Sequence, residues 1–264
     1  MRTKSMFTAV MAMAVMASVA SAEVLLLSDD FNTADTTDLN SNLATRQDGS
    51  LAPVTWSKST EVGGAGTISD NQMRVSTMES TDTGYHVSLD HDFTDSAITT
   101  GGGFRISFDF TSLEANWSAL SLGRTETSRI SSAAGQQFVT DAATDYGFLL
   151  GTTGNWQVFS GSDQEGSGSS GVSGTNAIDL VVETTGFTVG TAAKATLSMN
   201  GDVQHVHEFT WDADGTNYLS IESWRDGVGL VDNFSISAIP EPASGLLLLG
   251  ATAFLGLLRK KLYG

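Results

Sequence analysis

The sequence predicts an all-β fold built as an antiparallel sandwich. Residues 104–110, Phe-Arg-Ile-Ser-Phe-Asp-Phe, put four apolar side chains on one face and three polar side chains on the other, which is typical of a half-buried strand. Asn200-Gly201 lies between two alternating runs, and this pair favours a type I′ hairpin turn because both positions need positive φ. Helical periodicity is confined to one modest candidate, residues 133–143. Many short strands joined by Gly, Asn, Asp and Ser turns indicate a sandwich or barrel.

Alternating or apolar runs predict the other strands. In chain order they are 24–27, 73–78, 85–89, 117–122, 146–150, 156–159, 178–183, 195–199, 203–211, 218–223 and 230–237. Residues 33–72 are rich in turn-forming residues and predict isolated strands at most. Residues 161–174 are a Gly/Ser segment, for which we expect a long loop between strands of one sandwich, with a linker between half-domains as the alternative.

Four segments of the body resemble concanavalin A-like (LamG-like) jelly rolls. They are L-L-S-D-D-F-N at 26–32, the strand at 104–110, the hairpin A-T-L-S-M-N-G-D-V at 195–203 and the closing L-V-D-N-F-S-I-S at 230–237. The resemblance implies two packed antiparallel sheets with the first and last strands adjacent. Bacterial surface proteins with such domains often carry sorting tails.

The composition of residues 23–239 excludes several partners. These 217 residues hold 29 acidic against 8 basic side chains, a formal charge of −21, and the whole chain has no cysteine. Such a surface repels the phosphates of nucleic acids and anionic lipids. It attracts cations such as Ca²⁺, although a solvated acidic surface is the simpler interpretation. A domain of this size buries about 70% of its unfolded surface, so it folds without disulfides.

The N-terminus predicts a cleavable signal peptide over residues 1–22. Arg2 and Lys4 form a positive start, residues 6–19 are apolar, and Ala20-Ser21-Ala22 fits the small-x-small cleavage rule. We therefore expect the mature chain to begin at Glu23. A membrane anchor is the weaker alternative, because the apolar run is short.

The C-terminus predicts a membrane-inserted tail over residues 239–264. The tail consists of Pro240-Glu241-Pro242, an uncharged span at 243–258 and the cations Arg259, Lys260 and Lys261. As a helix the span rises about 24 Å, slightly less than the hydrocarbon thickness of a bilayer. The cations suit the cytoplasmic face, which argues against the alternative of a buried helix in a soluble domain.

This three-part tail resembles the PEP-CTERM sorting signal of Gram-negative bacteria that make exopolysaccharide. The resemblance implies recognition by an exosortase, a membrane transpeptidase-like enzyme, with delivery to the cell surface and cleavage near Pro242. It implies nothing about activity. Residues 23–238 are then the exported sandwich domain, held transiently at the inner membrane before processing.

Catalytic patterns are absent or incomplete. Glycoside hydrolysis needs two carboxylates that face the same sugar bond, and laminarinase-type jelly rolls carry an E-x-D-x-E pattern that puts three carboxylates on one strand face. The nearest approach here is Asp179 with Glu183, which lacks the middle acid. We expect both to be solvent-side charges on a strand. No G-x-S-x-G elbow occurs. His205 and His207 share one strand face, which permits a Zn²⁺ site, but surface histidines are the simpler interpretation.

Calcium is the preferred metal, at two places. One is a loop with oxygen side chains at alternate positions around Gly215; the other is the junction of the first and last strands, where related jelly rolls often hold Ca²⁺. The candidate ligands are Asp212 and Asp214 in the loop, and Asp29 or Asp30 with Asp232 at the junction. A plain turn after Trp211 is the alternative for the loop.

Aromatic faces are the candidate sugar-binding groups. Trp117 and Trp156 each follow an asparagine close to a predicted loop, where binding sites concentrate. The alternative is that each ring fills the core of the sandwich.

Together these observations predict an exported, non-catalytic surface protein that binds or organises extracellular polysaccharide. A glycoside hydrolase or lyase with an unrecognised site, and a structural matrix component without a discrete ligand, are the alternatives. No cofactor is expected beyond a structural calcium ion.

Overall fold

The structure, a computed structural model, describes residues 23–58, 66–76, 84–95, 102–113, 117–125, 138–142, 144–212, 216–224 and 227–240. Val24–Ile239 form one compact unit. The predicted signal peptide with Ala20 and Ala22, and the predicted tail from Glu241 onwards, lie outside the described residues, whereas Pro240 directly follows the last strand. Within the described ranges, no helix is long and apolar enough to cross a membrane.

The described residues form sixteen strands, one short helix and two 3-10 turns. The strands are β1 (Val24–Asp29), β2 (Gln47–Asp48), β3 (Trp56–Lys58), β4 (Gly66–Ser69), β5 (Gln72–Ser76), β6 (Gly84–Leu89), β7 (Gly103–Leu113), β8 (Trp117–Arg124), β9 (Tyr146–Gly151), β10 (Asn155–Ser160), β11 (Asp163–Ser169), β12 (Thr175–Thr184), β13 (Ala192–Met199), β14 (Asp202–Thr210), β15 (Tyr218–Trp224) and β16 (Val228–Ile239). The helix is α1 (Leu43–Arg46), and the 3-10 turns are Phe93–Asp95 and Phe138–Thr140.

The strands form two antiparallel sheets. Sheet A has the order β14-β13-β12-β7-β16-β1-β2, with the β4–β5 hairpin attached to β16 through β5; sheet B has the order β11-β10-β9-β8-β15-β6-β3. The first strand pairs with the last, Ser28 opposite Ser235 and Asp29 opposite Phe234. This arrangement confirms the all-β, two-sheet jelly-roll sandwich and the adjacency of the chain's first and last strands.

Strand alternation places the core between the sheets, as β7 illustrates. Phe104, Ile106, Phe108 and Phe110 are all buried, and the intervening polar residues lie on the other face. From sheet B, Phe148 meets Phe110 edge-to-face at 6.3 Å. Each fully buried aromatic or aliphatic side chain contributes about 1.5–3 kcal/mol, so this stripe fixes which face of β7 is inside.

The β13–β14 hairpin turns at the predicted position. Asn200 and Gly201 have φ of 55° and 87°, the pair of positive values that a two-residue hairpin turn requires. The hairpin returns as β14, an edge strand of sheet A.

The loop expected over residues 161–174 is wrong, because this segment contains β11, which pairs with β10. The two glycines of β11 face the rings between the sheets, where side chains do not fit. A Cβ on Gly166 would lie 2.5 Å from His205 Cε1, and one on Gly168 would lie 2.5 Å from Trp156 Cζ2. The helical candidate at 133–143 contains the 3-10 turn Phe138–Thr140, and its residues 133–137 and 143 lie outside the described ranges.

Candidate functional site

The outer face of sheet B, directed away from the core, is unusual because its central part on β8 and β15 is buried. On β8 and β15, Leu120 and Ile221 face the core, so strand alternation directs Ser121, Ser220 and Glu222 outward. All three outward side chains are at most 2% exposed. This face therefore carries polar groups that are enclosed by protein.

A row of serines crosses the outer face. Ser57, Ser88, Ser220 and Ser121 lie opposite one another on β3, β6, β15 and β8. Ser88 Oγ donates to the carbonyl oxygen of Leu219 at 3.1 Å. Within the described part of the chain, the Ser121 and Ser220 hydroxyls are buried and make no hydrogen bond. Unpaired buried hydroxyls are rare in native proteins and call for an explanation.

A carboxylate and an imidazole occupy the adjacent row. Glu222 on β15 lies directly opposite His86 on β6, and both are buried. Side chains in such a cross-strand pair have Cβ atoms about 4.5–5.5 Å apart. Glu222 Oε1 accepts the backbone N–H of Val139 at 3.0 Å, so the carboxylate holds the turn Phe138–Thr140 against the sheet.

An apolar patch adjoins these polar rows. Ala119, Leu149, Phe159 and Val139 form a separate small cluster on this face, and Trp117 packs against it while remaining partly exposed. The Trp117 ring covers Gly151, where an added Cβ would lie 3.3 Å from the ring. Trp117 is therefore the aromatic rim of the outer face. The combination of an aromatic face, hydroxyls and a carboxylate suits a ligand that has both apolar faces and hydroxyl groups.

Trp156 does not share this location, which corrects the expectation that it offers a platform to solvent. Its ring is only 5% exposed. Its Nε1 donates to Gln204 Oε1 at 3.1 Å, and its ring lies 5.8 Å from the His205 ring. Trp156 is therefore a buried core residue, as the alternative interpretation predicted, and it packs where the edges of the two sheets meet.

His205 and His207 share a face of β14, as predicted, but they are half-buried there. Their rings stack at 6.2 Å, and Glu165 Oε2 lies 3.9 Å from His207 Nδ1. Among the described residues, no group of three or more His, Cys, Asp or Glu side chains could hold a metal ion. A Zn²⁺ site at the two histidines therefore lacks a third ligand within the described ranges.

His205 predicts a pH dependence of stability. Burial lowers its pKa and the neighbouring His207 lowers it further, while Glu165 raises it. Because the folded pKa lies below the unfolded value of about 6.5, stability is present above that value and is lost as the pH falls from it through the folded pKa. We expect urea unfolding of His205→Gln at pH 8, 7, 6 and 5 to show a smaller loss than the wild type. Equal losses in both proteins would contradict this role.

Asp179 and Glu183 are solvent-side charges, which confirms that prediction. Asp179 Oδ1 lies 3.1 Å from Arg105 Nε, and Glu183 Oε2 lies 2.6 Å from Lys194 Nζ. Asp179 and Glu183 are 41% and 52% exposed on the outer face of sheet A. Each carboxylate is therefore paired with its own cation.

The junction of the first and last strands holds a buried ion pair. Asp29 is fully buried, and its Oδ1 lies 3.2 Å from Arg46 Nε. Its two oxygens also accept the Phe31 N–H at 3.0 Å, Gln47 Nε2 at 2.8 Å and Trp56 Nε1 at 3.0 Å. The cation beside Asp29 is thus the guanidinium of α1.

The other candidate calcium ligands accept or donate hydrogen bonds of the backbone, or lie outside the described residues. Asp30 is exposed and accepts the Asn32 N–H at 2.9 Å, while Asp232 accepts the Asn233 N–H at 2.8 Å. The exposed Asp212 donates its backbone N–H to Asp145 Oδ1 at 2.8 Å. Asp214 lies outside the described residues. Calcium at either place stays a prediction.

Sequence reasoning missed Ser121, Ser220 and Glu222. Small or apolar residues on both faces of β8, from Ser118 to Gly123, were the available signal that its outer face is also covered. A strand with one solvated face alternates instead, as β7 does.

Comparisons with known proteins give fold likenesses at low identity. No family model and no curated protein matches the chain. A protein of unknown function with a galectin-like fold, from Bacillus subtilis, is 11% identical with a TM-score of 0.47; the match covers 78% of this chain and 96% of that protein. A Bacillus licheniformis β-glucanase is 8% identical, covering 80% and 96%, with a TM-score of 0.46. A sialidase is 10% identical over 69% of this chain, with a TM-score of 0.44, and the match spans only 17% of the sialidase.

Proposed function

We propose that this chain is an exported surface protein that binds extracellular polysaccharide without catalysis, and that Trp117 is its contact with the sugar. The observation that carries the proposal is the partly exposed Trp117 ring at the rim of an outer face rich in buried polar groups. A flat aromatic ring covers the apolar face of a pyranose, and neighbouring polar groups orient its hydroxyls.

Export in this proposal rests on the two ends of the chain. A cleavable signal peptide at 1–22 places the sandwich outside the inner membrane, and the PEP-CTERM-like tail recruits an exosortase-type enzyme. The non-catalytic role is supported by Asp179 and Glu183, because each carboxylate is paired with a neighbouring cation on the solvated sheet.

Trp117→Ala tests the binding role. We expect the variant to lose at least about tenfold in affinity on a glycan array, because a few residues, often tryptophans, carry most of the binding energy of an interface. The exported domain, residues 23–239, is used, and reducing-end release is measured on the same glycans. Val206→Ala is the matched control, since Val206 is an exposed apolar residue on sheet A. Unchanged binding by Trp117→Ala rejects the assigned site, and release of product rejects the non-catalytic role.

A further inference from the structure

We propose that the outer face of sheet B is a closed cleft for a neutral polyhydroxylated ligand, and that residues 138–142 are its cover, latched by Glu222. This proposal rests on the proposed function, because it names how the same face admits a sugar. It assigns roles to Ser121, Ser220 and Glu222 that the aromatic rim alone does not require.

The two unpartnered hydroxyls indicate the ligand's chemistry. Ser121 and Ser220 lie directly opposite each other on adjacent strands, and both are fully buried. In the described residues neither hydroxyl has a hydrogen-bond partner. Each hydroxyl can donate one bond and accept two, so an apolar ligand leaves both unsatisfied. Neighbouring hydroxyls of a sugar both donate and accept, and they match this pair.

One contact of the cover with the sheet is an inserted valine side chain. Val139 is fully buried against Ala119, Leu149 and Phe159. Gly147 makes room for it, because a Cβ there would lie 2.7 Å from Val139 Cγ2. One valine side chain inserted over a glycine is a contact that can be released without disturbing the main core, to which this cluster does not belong.

Polar contacts complete the closure. Glu222 Oε1 accepts the Val139 N–H at 3.0 Å, and Asp141 Oδ2 lies 3.1 Å from Arg124 Nη1. Arg124 is buried in β8, whereas Asp141 is partly exposed. When the cover lifts, the Glu222 carboxylate loses the Val139 N–H and gains the capacity to accept a ligand hydroxyl beside His86. In this proposal Glu222 exchanges the Val139 N–H of the closed state for a ligand hydroxyl in the open state.

Hydrogen exchange of the exported domain tests the latch without any glycan. We expect Val139→Ala and Glu222→Gln each to raise the exchange rates of peptides covering 138–142 by about tenfold. Each substitution removes a contact that opposes local opening, and exchange of these amides requires that opening. Protection of β12 and β13 should stay unchanged, which separates local opening from global destabilisation. Glu208→Gln, an exposed acid on β14, is the matched control. Unchanged exchange at 138–142 in both variants overturns the latch.

The glycan array then tests the cleft. We expect Val139→Ala to bind the array glycans about tenfold more tightly than the wild type, because less free energy opposes opening. Glu222→Gln should exchange faster yet bind no tighter, since the same side chain contacts the ligand. If the wild type binds a glycan and Val139→Ala binds it with equal or lower affinity, the cover is overturned while the proposed function stands. If no protein binds any glycan, the proposed function and the cleft's ligand both fail, and the exchange data still decide the latch.

Discussion

Replacing Asp29 with alanine is expected to lower the free energy of unfolding by about 3–5 kcal/mol, because it leaves the buried Arg46 guanidinium without its counter-charge. The substitution also removes the acceptor for Gln47 and Trp56. Burial raises the pKa of Asp29, and Gln47, Arg46 and Trp56 oppose that effect. Urea unfolding of the exported domain, followed by tryptophan fluorescence, measures the loss.

The adjacent residue provides the control. Asp30 is exposed and accepts only a turn N–H in the described structure, so Asp30→Ala should cost less than about 1 kcal/mol. Asp29→Ala/Arg46→Met should recover part of the loss, because it removes the unpaired charge as well. Similar costs for Asp29→Ala and Asp30→Ala would contradict the buried pair as the bond that joins α1 to the strand junction.

This junction shows why the sequence could place the acidic residues but not their partner. The pairing of the first and last strands follows from the resemblance, and Asp29 does lie there. Calcium at this junction stays a prediction. The cation that the structure shows beside Asp29 is Arg46, which comes from a four-residue helix within a turn-rich stretch. This stretch has no hydrophobic periodicity from which the direction of the Arg46 side chain could be predicted. The direction depends on tertiary packing, since the guanidinium carbon lies 5.5 Å from the centroid of the Phe31 ring.

Alternation predicts faces but not what covers them. The pattern of β7 correctly identifies its buried stripe, because the opposite face is solvated. On β15, the run Ser220-Ile221-Glu222 has the same pattern, yet both of its faces are buried. Val139, whose N–H bonds to Glu222 on this second face, lies 83 residues earlier in the chain. The local sequence pattern of β15 does not predict such a contact.

The Gly/Ser segment shows the converse error. Composition favours a loop, because glycine has no side chain with which to display alternation. Long-range partners decide the outcome: the Trp156 and His205 rings fill the space that side chains at Gly168 and Gly166 would occupy. The segment is a strand because its glycines permit those rings to pack.

Gly168→Val tests this explanation and should destabilise the domain by about 2–4 kcal/mol, since overpacking strains the site and the displaced ring loses a hydrogen bond. A Cβ at this position would lie 2.5 Å from Trp156 Cζ2 and 2.9 Å from Trp156 Cε2. Moving the ring breaks the Trp156–Gln204 bond, which joins sheet B to the edge strand of sheet A. Urea unfolding and the near-ultraviolet signal of tryptophan report the change.

Ser167→Val is the matched control on the same strand. Ser167 is exposed and pairs with Gln157 on the outer face, so valine there meets no ring and suits a β-strand. We expect its free energy of unfolding to stay within about 0.5 kcal/mol of the wild type. If both valine variants are equally stable, residues 161–174 do not pack against Trp156, and the edge of the sandwich is closed by other contacts. If only Gly168→Val unfolds early, glycine is required at this position because the ring occupies the space.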